Sequence, residues 1–72
     1  MEKLEEILKS IIPDIDLSNK NLIDDGILDS FDIVTLVSEL IDTFGIELSV
    51  EDILPENFNS LESIMNLIEK KR

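Results

Sequence analysis

The sequence predicts an all-α fold: a small bundle of three main helices plus one short helix or turn, with a long loop between the first two helices. Three observations carry this. Apolar residues recur at helical spacing in three separate stretches, 2–12, 30–44 and 61–71. Capping and stop residues bracket those stretches. The chain has 72 residues, 43% of them apolar, which suits one small domain, 1–72, with one core.

Residues 2–12 place Leu4, Ile7, Leu8, Ile11 and Ile12 on one stripe, and Pro13 ends the run because the residue before a proline avoids the α region. Residues 13–29 form the long connection. It is polar at Ser18-Asn19 and Asp24-Asp25-Gly26, yet it carries Ile15, Leu17, Leu22, Ile23, Ile27 and Leu28. Those side chains can pin the loop onto a helical core, and long packed loops of this kind are usually functional. Residues 30–44 make the best helix: Asp29 or Ser30 can cap it, Asp32 adds negative charge to the first turn, and Gly45 stops it. Its core face is Ile33, Leu36, Val37, Leu40 and Phe44.

Residues 49–58 are ambiguous: Ser49 with Asp52 resembles a capping pair for one turn, and Pro55 can instead start a turn of its own. Residues 61–71 are helical, capped by Asn59 or Ser60. The basic end Lys70-Lys71-Arg72 suits the helix C-terminal dipole.

Composition excludes several function classes. There are 17 Asp and Glu against 6 Lys and Arg, a net charge of −11. A phosphate-backbone binder needs the opposite sign, so no nucleic-acid partner is expected. The absence of His and Cys removes thiol nucleophiles, imidazole bases, disulfides and Cys/His zinc sites. A chain of this size and inventory is not expected to be an enzyme. No secretory signal and no membrane-length apolar run is visible, so a soluble, cytoplasmic monomer is expected. The imbalance lies in the middle: residues 13–56 hold twelve acids and only Lys20. Such a field repels itself and steers a basic partner. A core this small supplies only about 3–5 kcal/mol without staples.

A wheel at about 100° per residue separates the faces of helix 30–44. Beside the core face lies a second stripe, Ser30, Phe31, Val34, Ser38 and Ile41, with Asp32, Thr35, Glu39, Asp42 and Thr43 on the remaining arc. The helix thus has more apolar surface than one core face needs, and a lone hydroxyl stands where that stripe begins. A helix N-terminus favours a phosphate through its unpaired N–H groups and its dipole, so Ser30 suits a phosphoester linkage. The plain alternative is that Ser30 is only the N-cap.

The string Asp25-Gly26-Ile27-Leu28-Asp29-Ser30-Phe31-Asp32 resembles the attachment motif of the acyl carrier protein family. In that family an Asp-Ser pair opens the second helix of a small acidic bundle, and the Ser carries a 4′-phosphopantetheine arm. The resemblance covers nearly the whole chain, and the run from Leu36 to Leu48 looks like the family's second helix and its exit. It implies that Ser30 is the cofactor attachment site. It further implies that Asp29, Phe31, Asp32, Val34, Ser38, Ile41 and Asp42 meet partner enzymes.

Three features depart from the fatty-acid members. Phe31 follows the serine in place of Leu or Met. Ser38 and Ile41 stand where Met and Glu are frequent, and the first helix and loop are short. The chain is thus similar to stand-alone carriers related to D-alanyl carrier proteins. The implied cycle begins with a phosphopantetheinyl transferase, which moves the arm from coenzyme A to Ser30 using its own Mg²⁺. An adenylating ligase then loads an acyl or aminoacyl group as a thioester, and a downstream acyltransferase or synthase receives it. The cofactor supplies the thiol that the composition lacks.

Two readings from other classes stand beside this. One is a calcium-binding acidic module, since Asp14, Asp16, Ser18 and Asp25 loosely follow an EF-hand spacing, without the Gly and Glu of that motif. The other is an acidic helical binding or inhibitor protein without a prosthetic group. Neither requires Ser30 to be modified.

Overall fold

The computed structural model describes residues 2–72. It is all-helical over them: α1 spans Glu2–Ile11, α2 Ser30–Phe44, α3 Pro55–Phe58 and α4 Leu61–Lys71, with a 3-10 turn at Val50–Asp52. The three long helices and the long intervening loop are those the periodicity predicts. α1 closes one residue early, at Ile11, although the Ile12 N–H still reaches the Leu8 carbonyl at 2.8 Å.

The structure resolves each alternative at the helix ends. Asp29, not Ser30, caps α2: its Oδ1 accepts from the Asp32 N–H at 2.9 Å, and Ser30 is the first helical residue. Ser60, not Asn59, caps α4 by accepting from the Ser63 N–H at 3.0 Å. In the 49–58 segment both possible turns form. The Asp52 carboxylate receives the Ser49 N–H and hydroxyl, and Pro55 opens α3 three residues later. Gly45 ends α2 in the left-handed region at φ 65°, where its N–H closes on the Ile41 carbonyl.

α1 packs against α2 and α4, and α3 packs against α4. Leu4 and Leu8 of α1, Leu36 and Leu40 of α2, and Ile64 and Ile68 of α4 are fully buried, with Phe58 of α3 closing one end. Full burial of one such side chain contributes about 1.5–3 kcal/mol. Loop 13–29 is irregular but not loose. Leu22 (0% exposed) and Leu28 (1%) belong to the core. The Leu22 carbonyl accepts from both Ile27 and Leu28 at 2.9 Å, folding the segment back on itself just before α2. Gly26 makes that reversal at φ 75°.

The acidic field is answered at few places. Lys71 pairs with Asp52 at 2.9 Å and Arg72 with Glu69 at 3.2 Å. The basic C-terminal end therefore does more than complement the α4 dipole: Lys71 ties that end to the 3-10 turn.

Candidate functional site

Ser30 is held by its neighbours in sequence and by the loop before them. Leu28 is anchored in the core, Asp29 turns extended to cap the helix, and Ser30 begins the first turn as an exposed residue. Asp32 completes a capping box, its carboxylate facing the Asp29 N–H at 3.5 Å. Because Asp29 and Asp32 cap each other, the Ser30 hydroxyl is not needed for capping. Of the first-turn donors, the N–H groups of Ser30 and Phe31 remain for an anion.

A cleft of about 360 Å³ opens beside Ser30. Ile23 and Leu28 of the loop line one wall, Ile53, Leu54, Pro55 and Phe58 the other, and Ile33 and Val34 the floor along α2. Only Asp29 and Ser30 bring polar side chains to it. An apolar groove meeting one free hydroxyl at a helix N-terminus fits a phosphoester-linked arm. The phosphate has donors at the helix end, and the apolar wall can accept whatever the arm carries. Asp29 opposes a phosphate by its charge, in the opposite sense to the N–H donors of the helix end.

The rest of the second stripe lies where the wheel places it. Phe31 is 79% exposed and Val34 70%, so Val34 is not covered by the loop or by the short turn. Ser38, Glu39 and Asp42 are exposed with them. Ile41 is more sheltered, on a shallow polar depression that also includes Glu47, Asp52 and Lys71. Asp32 is half-buried and engaged in the capping box, so it is a weaker member of the acidic rim than its wheel position suggests.

Sequence reasoning missed the wall formed by Ile53, Leu54, Pro55 and Phe58. Its one trace was an excess of apolar residues around Pro55, in a segment with no helical period of its own. Val50, Ile53 and Leu54 extend the exposed apolar surface beyond α2.

The EF-hand-like positions do not assemble. Asp16 is occupied within the loop by the Ser18 hydroxyl and N–H, which hold its carboxyl below the ordinary carboxylate value. Asp25 takes the Asn19 side-chain amide at 3.1 Å. Among the described residues no group of three or more Asp or Glu side chains is arranged to hold a metal ion. Among them, too, no helix is long and apolar enough to cross a membrane.

A family model described as phosphopantetheine attachment site matches residues 1–68. No curated protein and no solved structure matches the chain.

Proposed function

We propose, from the premise that this chain belongs to the phosphopantetheine attachment site family, that residues 1–72 form one carrier domain whose arm is attached to Ser30. Members of that family are carriers, not catalysts, and bear 4′-phosphopantetheine covalently. The observation that carries the assignment is the division of labour at the start of α2. Asp29 caps the helix, and this leaves the exposed Ser30 hydroxyl at the mouth of the apolar cleft.

Each neighbouring residue has a role in this reading. The helix end, with the N–H groups of Ser30 and Phe31, stabilises the phosphate. Asp29 orients the first turn and offers a carboxylate to a phosphopantetheinyl transferase and its metal. The arm supplies the thiol that holds cargo as a thioester. Ile23, Val34, Ile53 and Leu54 shelter the cargo side of the arm from water. Their apolar character favours an acyl group over a charged aminoacyl group, loaded by an adenylating ligase and passed to an acyltransferase or synthase in the cytoplasm.

Partners meet the second stripe. Phe31 and Val34 supply the apolar contact and set the off-rate, with Ser38 and Ile41 further along the helix. Asp42 and Glu39, with Asp32 behind them, steer basic partners and set the on-rate.

The deciding experiment is intact mass after treatment with coenzyme A and a broad-specificity transferase. The wild type gains one phosphopantetheine and Ser30→Ala gains none. An unmodified wild type returns the chain to the class of acidic binding proteins. A modified Ser30→Ala variant moves the site elsewhere. Val34→Asp tests the surface: it melts as the wild type does but is loaded more slowly by the cognate ligase. Wild-type loading by that variant would remove Val34 from the interface.

A further inference from the structure

We propose that Asn59 is a positioning residue for the Ser30 site, a latch that joins the two walls of the cleft. The inference rests on reading Ser30 as the attachment residue. It begins with the backbone of the loop. Within residues 21–28 the loop satisfies itself: Asp25 donates to the Asn21 carbonyl, Gly26 to Ile23, and Ile27 and Leu28 to Leu22. Three consecutive N–H groups, those of Leu22, Ile23 and Asp24, find their acceptors on a single distant residue. Leu22 donates to the Asn59 backbone carbonyl at 2.8 Å. Ile23 and Asp24 both donate to the Asn59 Oδ1, at 2.9 and 3.3 Å.

These bonds are unlike the others in the molecule. Among the described residues, and apart from the Lys71–Asp52 ion pair, every other side-chain hydrogen bond spans six positions or fewer. Only Asn59 ties segments that lie 35 and 36 positions apart. Its place gives the bonds their meaning. Asn59 directly follows Phe58, the buried anchor of one cleft wall, and Ile23 belongs to the other wall. Apolar contact alone can slide, whereas two N–H groups sharing one carbonyl oxygen fix a direction.

The residue type fits the task. An amide oxygen accepts two hydrogen bonds and brings no charge into a segment that already carries Asp24 and Asp25. Aspartate keeps the acceptor and adds a charge. Alanine leaves the N–H groups of Ile23 and Asp24 without it. Held to residue 59 only by the Leu22 N–H bond to its backbone carbonyl, the 22–28 turn keeps its internal bonds but loses its fixed orientation against α3. The cleft then widens, and the segment leading through Leu28 and Asp29 to Ser30 loses its support. A transferase that docks on the stripe and this loop together meets a less ordered surface, so the loss falls on recognition and not on the chemical step.

The test is steady-state transfer from coenzyme A to the full chain, with backbone amide exchange as a second readout. Asn59→Ala should raise the KM for the carrier about tenfold with kcat nearly unchanged, the pattern of a lost binding interaction. Exchange at Ile23 and Asp24 should quicken in the same variant. Asn59→Asp restores the acceptor and should recover most of the KM. Ser60→Ala is the control: it removes the α4 cap next door but no bond to the loop. Equal KM changes in Asn59→Ala and Ser60→Ala would reduce Asn59 to a general stabiliser and overturn the proposal. Unchanged exchange at Ile23 and Asp24 overturns it too.

Asn59→Ser, whose hydroxyl is too short to reach both N–H groups, repeats the test if the alanine variant unfolds. If it unfolds as well, Asn59 belongs to the core alone and the positioning role falls. A wild-type chain left unmodified at Ser30 refutes the carrier reading instead. The exchange comparison then still reports whether the latch exists.

Discussion

The two walls of the cleft are built on opposite plans. The loop wall, residues 22–28, has no regular secondary structure, yet Leu22 and Leu28 are completely or almost completely buried and its N–H groups are bonded in every turn. The facing wall, residues 53–58, is built on a short helix that follows a 3-10 turn, yet Ile53 and Leu54 are exposed, and Val50 of the preceding turn is 86% exposed beside them. Burial in these two segments does not follow helical regularity: the irregular one is the more deeply anchored. One wall is an anchored support for Ser30. The other hangs from Phe58, the Asn59 bonds and the Lys71–Asp52 pair, with an apolar lip free to meet cargo or partner.

The comparison breaks most easily at Leu22. Leu22→Ala should cost about 2–5 kcal/mol, as deletion from a packed core does. Against a total of about 3–5 kcal/mol that leaves much of the population unfolded. Urea titration followed by circular dichroism reads it, and a cost under about 1 kcal/mol would show that the loop is not part of the core. Gly26→Ala comes next. Space for a methyl group exists there, but φ is +75°, so the cost is conformational, about 1–2 kcal/mol. The same titration suffices, and a neutral result would mean that the turn has another accessible backbone path.

Asp52 sharpens the contrast through pH. The Ser49 N–H, and after it the Lys71 ammonium, hold its carboxyl below the ordinary value in the folded chain. A folded value below the unfolded one, about 3.9, contributes stability that is present above the unfolded value. That stability is lost as the pH falls through the folded value. Protonating the remaining acids relieves the self-repulsion of the net −11 charge and acts in the opposite direction. The readout is therefore the stability difference between wild type and Asp52→Asn, which should shrink as the solution is acidified through that range. A difference that stays constant with pH would detach Asp52 from the wall's support. The smallest effect belongs to Val50. Val50→Ser should change stability by no more than about 0.5 kcal/mol, and a larger loss would mean that this lip is packed in solution.

Particular residues show how far the sequence could be read. The stripes of α1, α2 and α4 were legible because burial on a helix repeats every three or four residues, and the buried positions of α2, Ile33, Leu36 and Leu40, lie on the predicted face. The exposure of Phe31 and Val34 was legible for the same reason. The cap of α2 was not, because Asp and Ser are nearly equal N-cap residues and two of them stand side by side. The Lys71–Asp52 pair was not legible: the basic end Lys70-Lys71-Arg72 reads as a dipole complement, since nothing local to residues 70–72 points to residue 52. The role of Asn59 was invisible in the same way: it stood as one of two candidate caps for α4, while its acceptor serves a loop 35 and 36 positions earlier.

By itself, the sequence determined the helices, the acidic middle, the sulfur-free nucleophile inventory and the Asp-Ser motif at the head of α2. These depend on composition or on interactions that reach no further than about one helical turn along the chain. The cap of α2 is also local, three residues from Asp29 to Asp32, but with two near-equal candidates side by side it took the folded geometry to show that Asp29 caps and leaves the Ser30 hydroxyl free of that task. Only the tertiary structure set a cleft beside it and closed the two walls through Asn59. The walls come from residues 23–28 and 53–58. They meet because the core brings Leu22, Leu28 and Phe58 together. That is a consequence of folding the whole chain, and no local period records it.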